Sequence, residues 1–254
     1  MTTTALSPAR ITALGRSELT LLVRNRAALG VALLMPLLMV FVLRSSLTGV
    51  EGAEAVGEAT LTGGIGMVLL LVVYMNLVSA YVARREELVL KRLRTGEARD
   101  LEILAGTALP AVCLALGQTG LLAVAGALAL DVRMPRSPLL LLGAVLAGLV
   151  LLAGLAALTS AVTRTVETAG LTTLPLFLAT AAGSGLFAPV DALPDLVASL
   201  CELLPLSGVM TLVRAGWSGG AGGGDLLGAG LSALAWIVVT VFAVQRWFRW
   251  EPRR

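Results

Sequence analysis

The 254-residue chain contains no histidine, a single lysine (Lys91), two cysteines, and aromatic residues at only 4% of positions. Without histidine there is no HExxH zinc site, no Ser-His nucleophile pair and no side chain titrating near neutrality, so the usual machinery of hydrolysis is missing. Cys113 lies deep in an apolar run and Cys201 in a later segment, a pair that supports neither a disulfide framework nor a metal spacing; both read as packing residues. No G-x-x-x-x-G-K-[ST] occurs, and Lys91 does not follow a glycine-rich loop, so the chain cannot cradle ATP phosphates by the P-loop mechanism. Charge is scarce too, at 14% of residues against the roughly 25% of soluble domains. The net charge of +3 and pI near 9.4 do not imply nucleic acid, because the basic residues sit in short blocks without interleaved aromatics.

What the chain has is apolar length. Hydrophobic residues make up 57% and the mean hydropathy is +0.91. Uncharged runs cover residues 27–43, 59–83, 103–130, 137–163, 168–190 and 226–245, and a helix of about 20 residues crosses about 30 Å of hydrocarbon. The expected fold is an all-α polytopic membrane protein with six transmembrane helices. Pro36 near the middle of the first run predicts a kink there. With the N-terminus inside, fifteen Lys and Arg residues fall on the cytoplasmic side and four (Arg44, Arg133, Arg136, Arg214) outside, which places both termini in the cytoplasm.

Two segments are neither plain span nor plain loop. Ser7 and Pro8 form a helix start. Over 8–26, Ile11, Leu14, Leu21 and Leu22 then share one side, opposite Arg10, Arg16 and Arg24, as in a helix lying at the membrane interface. Glu18 interrupts the apolar face and either pairs with a basic neighbour or reaches solvent; Arg26 closes the segment. Outer residues 191–225 hold an apolar run broken by Glu202 and Pro205, which predicts short re-entrant helices before the last span.

The largest charged block runs from Arg84 to Asp100. Glu87 and Lys91 form a favourable i,i+4 pair, Leu90 and Leu93 share a helix surface, and Gly96 offers a stop, so a short cytoplasmic helix over 86–96 is expected. A solvated topogenic loop is the alternative. Arg85-Glu86 followed by Leu90-Lys91-Arg92-Leu93-Arg94-Thr95 resembles the R-E-x-G-T-L-[KR]-R-L-R signature of type-2 ATP-binding-cassette (ABC) exporter permeases of the multidrug and antibiotic efflux kind. The Arg24-Asn25-Arg26 turn, Pro36, Gly185 to Pro194 (GLFAPVDALP) and Leu204-Pro205-Leu206-Ser207 extend the resemblance over most of the chain. The sequence departs from it at Leu88, where the family often has glycine, and at Glu97, where it often has proline.

The resemblance implies a permease of the bacterial inner membrane, whose 8–26 segment is the elbow helix and whose 86–96 helix couples to a separate ATPase through Glu86, Glu87, Leu88, Leu90, Lys91, Arg92, Leu93 and Arg94. It implies an ABC ATP-binding subunit in two copies, which holds ATP and Mg, and a homodimer or a heterodimer with a related permease. The implied cargo is a hydrophobic or amphipathic small molecule, with polysaccharide or lipid-linked glycan as the alternative. Spans two and five would wall the pathway, nominating Tyr74, Asn76, Ser79, Thr172, Thr173, Phe177, Thr180 and Ser184; hydrogen bonding between helices is the competing role for the polar ones. Gln118 and Thr119 in span three are further polar positions, and Gly143 with Ala147, or Gly228 with Ser232, offer small-residue packing. From another class, a lipid-modifying membrane enzyme would need a carboxylate cluster, and Glu97, Asp100 and Glu102 lack metal-ligand regularity.

Overall fold

A computed structural model of the chain describes residues 52–90, 99–130, 132–186, 194–248 and 250, with ten separate helical positions between 12 and 42. Every described element is helical. Helix α1 (Ala53–Val68) starts after Gly52, whose φ of 77° suits glycine. It passes without a break through a π-helical stretch, Leu69–Met75, into α2 (Asn76–Glu86). The result is one rod, apolar over most of its 33 residues from Glu54 to Glu86, long enough to cross a bilayer with turns to spare. The wider π turn buries Leu69, Leu70, Val73 and Tyr74.

The other long helices are α3 (Asp100–Ala129), α4 (Pro138–Val162) and α8 (Gly223–Trp247). Pro138 opens α4 at a position where its missing N–H costs nothing. Between α4 and α8 come α5 (Val166–Gly183), α6 (Asp195–Glu202) and α7 (Ser207–Ser218). Four helices among the described residues are long and apolar enough to cross a membrane, or five if the bent pair α6–α7 counts as one span. The expected first span, 27–43, and the expected elbow, 8–26, lie mostly outside the described residues.

The fifth expected run, 168–190, forms a helix that stops at Gly183. Gly185 takes φ 68°, Leu186 N–H donates to Ala181 O at 3.1 Å and Gly185 N–H to Ala182 O at 3.2 Å. That pair of bonds is a Schellman ending, which a run of uncharged residues does not reveal.

Helix α4 lies at the centre, in contact with the π stretch, α2, α7 and α8. Its interior face is a wall of Leu and Ala, including Leu151, Leu152 and Ala156, with almost no exposure. Residues 194–225 hold a bent hairpin, α6 and α7 crossing at 85°. Ser207 Oγ ties the turn by donating to Cys201 O (2.5 Å) or Gly183 O (3.2 Å), and Trp236 Nε1 donates to Leu203 O at 3.0 Å. At the far end of α7, Ser137 N–H donates to Gly216 O at 2.9 Å. With 12 residues, α7 covers about 18 Å, roughly half the length of α4. The bend between α6 and α7 therefore lies midway along the bundle, at the level of Gly148 and Ala229, which meet Val209 and Gly208.

These contacts define two ends. One carries the turn between α3 and α4, the turn between α7 and α8 and the start of α1, joined by the exposed Glu54–Arg133 pair at 3.0 Å. The other carries the end of α2, the start of α3, the α4–α5 turn and Phe248, whose ring lies edge-on to Tyr81.

Candidate functional site

The end of α2 is where the charged block meets the bundle. Arg84 pairs with Glu87 at 3.1 Å on the surface. Glu86 is exposed and is the last residue of the α2 helix, so the segment that follows starts one turn later than the expected 86–96 helix. The reason is Leu88, whose φ of 60° breaks the helix before it resumes at Val89. Leu90 is fully buried. Lys91, Arg92, Leu93 and Arg94 lie outside the described residues.

Arg85 faces the other way. Its guanidinium is 1% exposed and donates to Ser160 O at 2.7 Å and Thr163 O at 2.5 Å. Both carbonyls belong to the last turn and cap of α4, the end of a helix that lacks internal donors and carries partial negative charge. Composition flagged Arg85 as part of a basic block; only the fold shows it turned inward.

The nominated pathway residues separate into groups. Tyr74 is buried and its hydroxyl lies 3.1 Å from Thr159 Oγ1 of α4. Ser79 donates to Met75 O at 3.4 Å, Thr172 to Thr168 O at 2.9 Å and Thr173 to Gly170 O at 2.8 Å, bonds within their own helices. Thr173, Phe177, Thr180 and Ser184 form a buried stripe along α5, which packs beside the α2 rod. The Thr180 and Ser184 hydroxyls have no hydrogen-bond partner among the described residues, and Arg214 of α7 donates to Ser184 O. Asn76 alone of the set presents its side chain at the surface of the rod, close to exposed Leu71. In the N-terminal segment Arg16 and Arg24 are helical and exposed, while Arg10, Glu18 and Arg26 lie outside the described residues.

A feature the sequence did not suggest is an apolar groove of about 590 Å³ on the opposite flank of α4, lined by Tyr81, Leu104, Ala108, Leu149, Ala153 and Val244. Apart from Tyr81 Oη, which donates to Leu104 O at 3.2 Å, its wall is hydrocarbon. None of the nominated pathway residues reaches it. The acidic cluster at the start of α3 has a structural role in part: Glu102 is buried and accepts from the Arg99 N–H at 3.0 Å, closing the first turn. Just past the α4–α5 turn, the pKa of the exposed Glu167 is lowered by hydrogen bonds from the Thr165 hydroxyl and from its own backbone N–H.

Long apolar helices around a central helix, a bent helix pair and a charged, inward-braced end define a multi-pass membrane domain. The sequence profile of the ABC-2 type transporter family matches residues 9–217, and the chain belongs to that family. It is a membrane permease component, and these 254 residues include no nucleotide-binding domain. Permeases of this family generally pair with an ATP-binding subunit. No curated protein matches the sequence.

Proposed function

We propose that this chain is the membrane-spanning half of an ATP-driven exporter for hydrophobic or amphipathic small molecules of the drug or antibiotic type. In this reading the elbow helix and a first span precede α1, giving six crossings with both termini in the bacterial cytoplasm. Two permease copies, identical or related, enclose the pathway, and an ABC ATP-binding subunit carrying ATP and Mg docks beneath each. ATP-driven closure presses on the segment after Glu86 and switches the cavity from inward- to outward-open. The observation that carries the reading is the end of α2, where a helix long enough to cross the bilayer is braced by buried Arg85 just ahead, in sequence, of the basic segment 91–94. The hydrocarbon surfaces of the bundle favour an apolar cargo over a glycan, which needs a polar channel.

The test is reconstitution of the chain with its ATP-binding subunit in proteoliposomes, following a fluorescent amphiphile. ATP-dependent movement that is lost in Arg92→Glu with Arg94→Glu, in protein that still assembles, supports the reading. Movement at the wild-type rate in that variant refutes the coupling role. Leu90→Asp is unsuitable here, because Leu90 is fully buried and the change would disrupt packing. ATP-dependent movement of a lipid-linked glycan, and not of the amphiphile, would favour the glycan alternative.

A further inference from the structure

The segment after Glu86 joins α2 to α3 in sequence, so a push delivered there would be expected to move those two helices. The side-chain bonds run differently. We infer that Arg85 fastens the inner end of α2 to the C-terminal end of α4, so that α2 and α4 respond to the push as one rigid body. The inference rests on the exporter reading above, in which an ATP-binding subunit acts on this segment.

Four observations converge. A buried guanidinium needs hydrogen-bond acceptors, and the two terminal nitrogens of Arg85 donate to two carbonyls of α4, Ser160 O and Thr163 O. Those acceptors lie three residues apart in the last turn and cap of one helix, and a planar fork of donors bridges them where a single ammonium would reach one. A second tie lies beside the first: Tyr74, on the π stretch of the same rod, meets Thr159, so residues 159–163 of α4 receive two side chains rooted 11 positions apart on the rod. Two separated anchor points resist both hinging and rotation. Among the described residues, α2 and α3 are joined in this region by the bond from Tyr81 to Leu104 O, a neutral one and weaker than a charge-assisted pair.

The consequence reaches the rest of the bundle. The turn from α4 to α5 is only Thr163–Thr165, with Thr165 accepting from Thr168 N–H as the cap of α5, so α5 follows α4 closely. Because α4 also contacts α7 and α8, a stroke entering at Arg85 has a route through α4 to the bent pair α6–α7. Arg85 is thus a positioning residue: it touches neither nucleotide nor cargo.

The test uses the full permease with its ATP-binding subunit in nanodiscs, with Cys113→Ala and Cys201→Ala and spin labels at Arg84→Cys and Arg164→Cys. Pulsed dipolar spectroscopy compares the nucleotide-free state with that trapped by ATP, Mg and vanadate, and a separate sample labelled at Arg164→Cys alone reports the distance between permease copies. The expected wild-type result is a 164–164 distance that changes while the 84–164 distance holds within about 2 Å, the size of a packed helix shift. In Arg85→Gln the 84–164 distance then broadens or changes with nucleotide. Arg85→Lys, which retains charge but one bond, gives a smaller change of the same kind and serves if Arg85→Gln does not insert. A wild-type 84–164 distance that changes with nucleotide, or one that is equally fixed in all three proteins, overturns the inference while leaving the exporter reading standing. If no distance responds to nucleotide in the wild type, the exporter reading falls and this inference with it.

Discussion

Leu88 holds a φ of 60°, and its N–H donates to Arg85 O at 3.1 Å, closing the last turn of α2. A leucine in the left-handed region carries about 1–2 kcal/mol of steric cost, because its Cβ crowds the following carbonyl. The side chain is 40% exposed and recovers only part of this through packing. Leu88→Gly removes the clash and adds roughly 0.5–1 kcal/mol of unfolded-chain entropy, so the expected outcome is a net gain of up to about 1 kcal/mol. Leu88→Ile, β-branched, is expected to lose stability instead. Thermal unfolding of the detergent-solubilised protein checks both, and a clear destabilisation by glycine would show that the turn is not strained. The departure from the family signature at Leu88 was visible in the sequence, and the fold supplies its meaning: glycine is frequent there because the chain turns left-handed. Arg85 was less legible. Nothing in a run of two arginines says which one pairs with Glu87 at the surface and which one meets a helix end 75 residues away.

At the scale of the element, the hairpin α6–α7 is held by backbones approaching closely. A Cβ built at Gly216 would stand 2.7 Å from Leu141 N, and one at Gly208 would stand 2.6 Å from Ala229 O. Neither obstacle can rotate away, since both are main-chain atoms. Gly216→Ala is therefore expected to destabilise by about 1–3 kcal/mol, the usual cost of overpacking. At Gly228, by contrast, an added methyl group meets nothing within 4 Å, and Gly228→Ala is expected to be neutral or to stabilise by up to about 1 kcal/mol through helix propensity. Comparing the two midpoints in the same detergent separates contact from propensity. The sequence could not rank these glycines: Gly143 and Gly228 attract notice by their spacing to Ala147 and Ser232, yet both face open space. The partners that matter come from other parts of the chain, beyond what a local pattern encodes. Helix existence, by contrast, was legible wherever composition alone decides it, as in 103–130, 137–163 and 226–245, whose helices are Asp100–Ala129, Pro138–Val162 and Gly223–Trp247.

The whole molecule has two chemically distinct ends, and the difference predicts how it sits in a membrane. Arg84, Arg85, Arg99, Arg164 and Arg246 gather at the end where α2 and α4 stop and α3 begins. The opposite end carries Arg133 and Arg136 with Glu54 and Asp225. Basic flanks resist translocation, so the proposed exporter is predicted to hold the first end in the cytoplasm, where an ATP-binding subunit would reach the segment after Glu86. The bond from Ser137 N–H to Gly216 O puts the end of α7 beside the α3–α4 turn, so the turn of glycines between α7 and α8 is predicted to face outside with it. In a background of Cys113→Ala and Cys201→Ala, a membrane-impermeant maleimide added to intact cells should label Ala221→Cys in that turn. It should leave Arg164→Cys and Arg94→Cys untouched until the membrane is permeabilised. Labelling of Arg94→Cys from outside would place the coupling segment in a compartment without ATP, and both the exporter mechanism and the Arg85 linkage would then have no force to transmit.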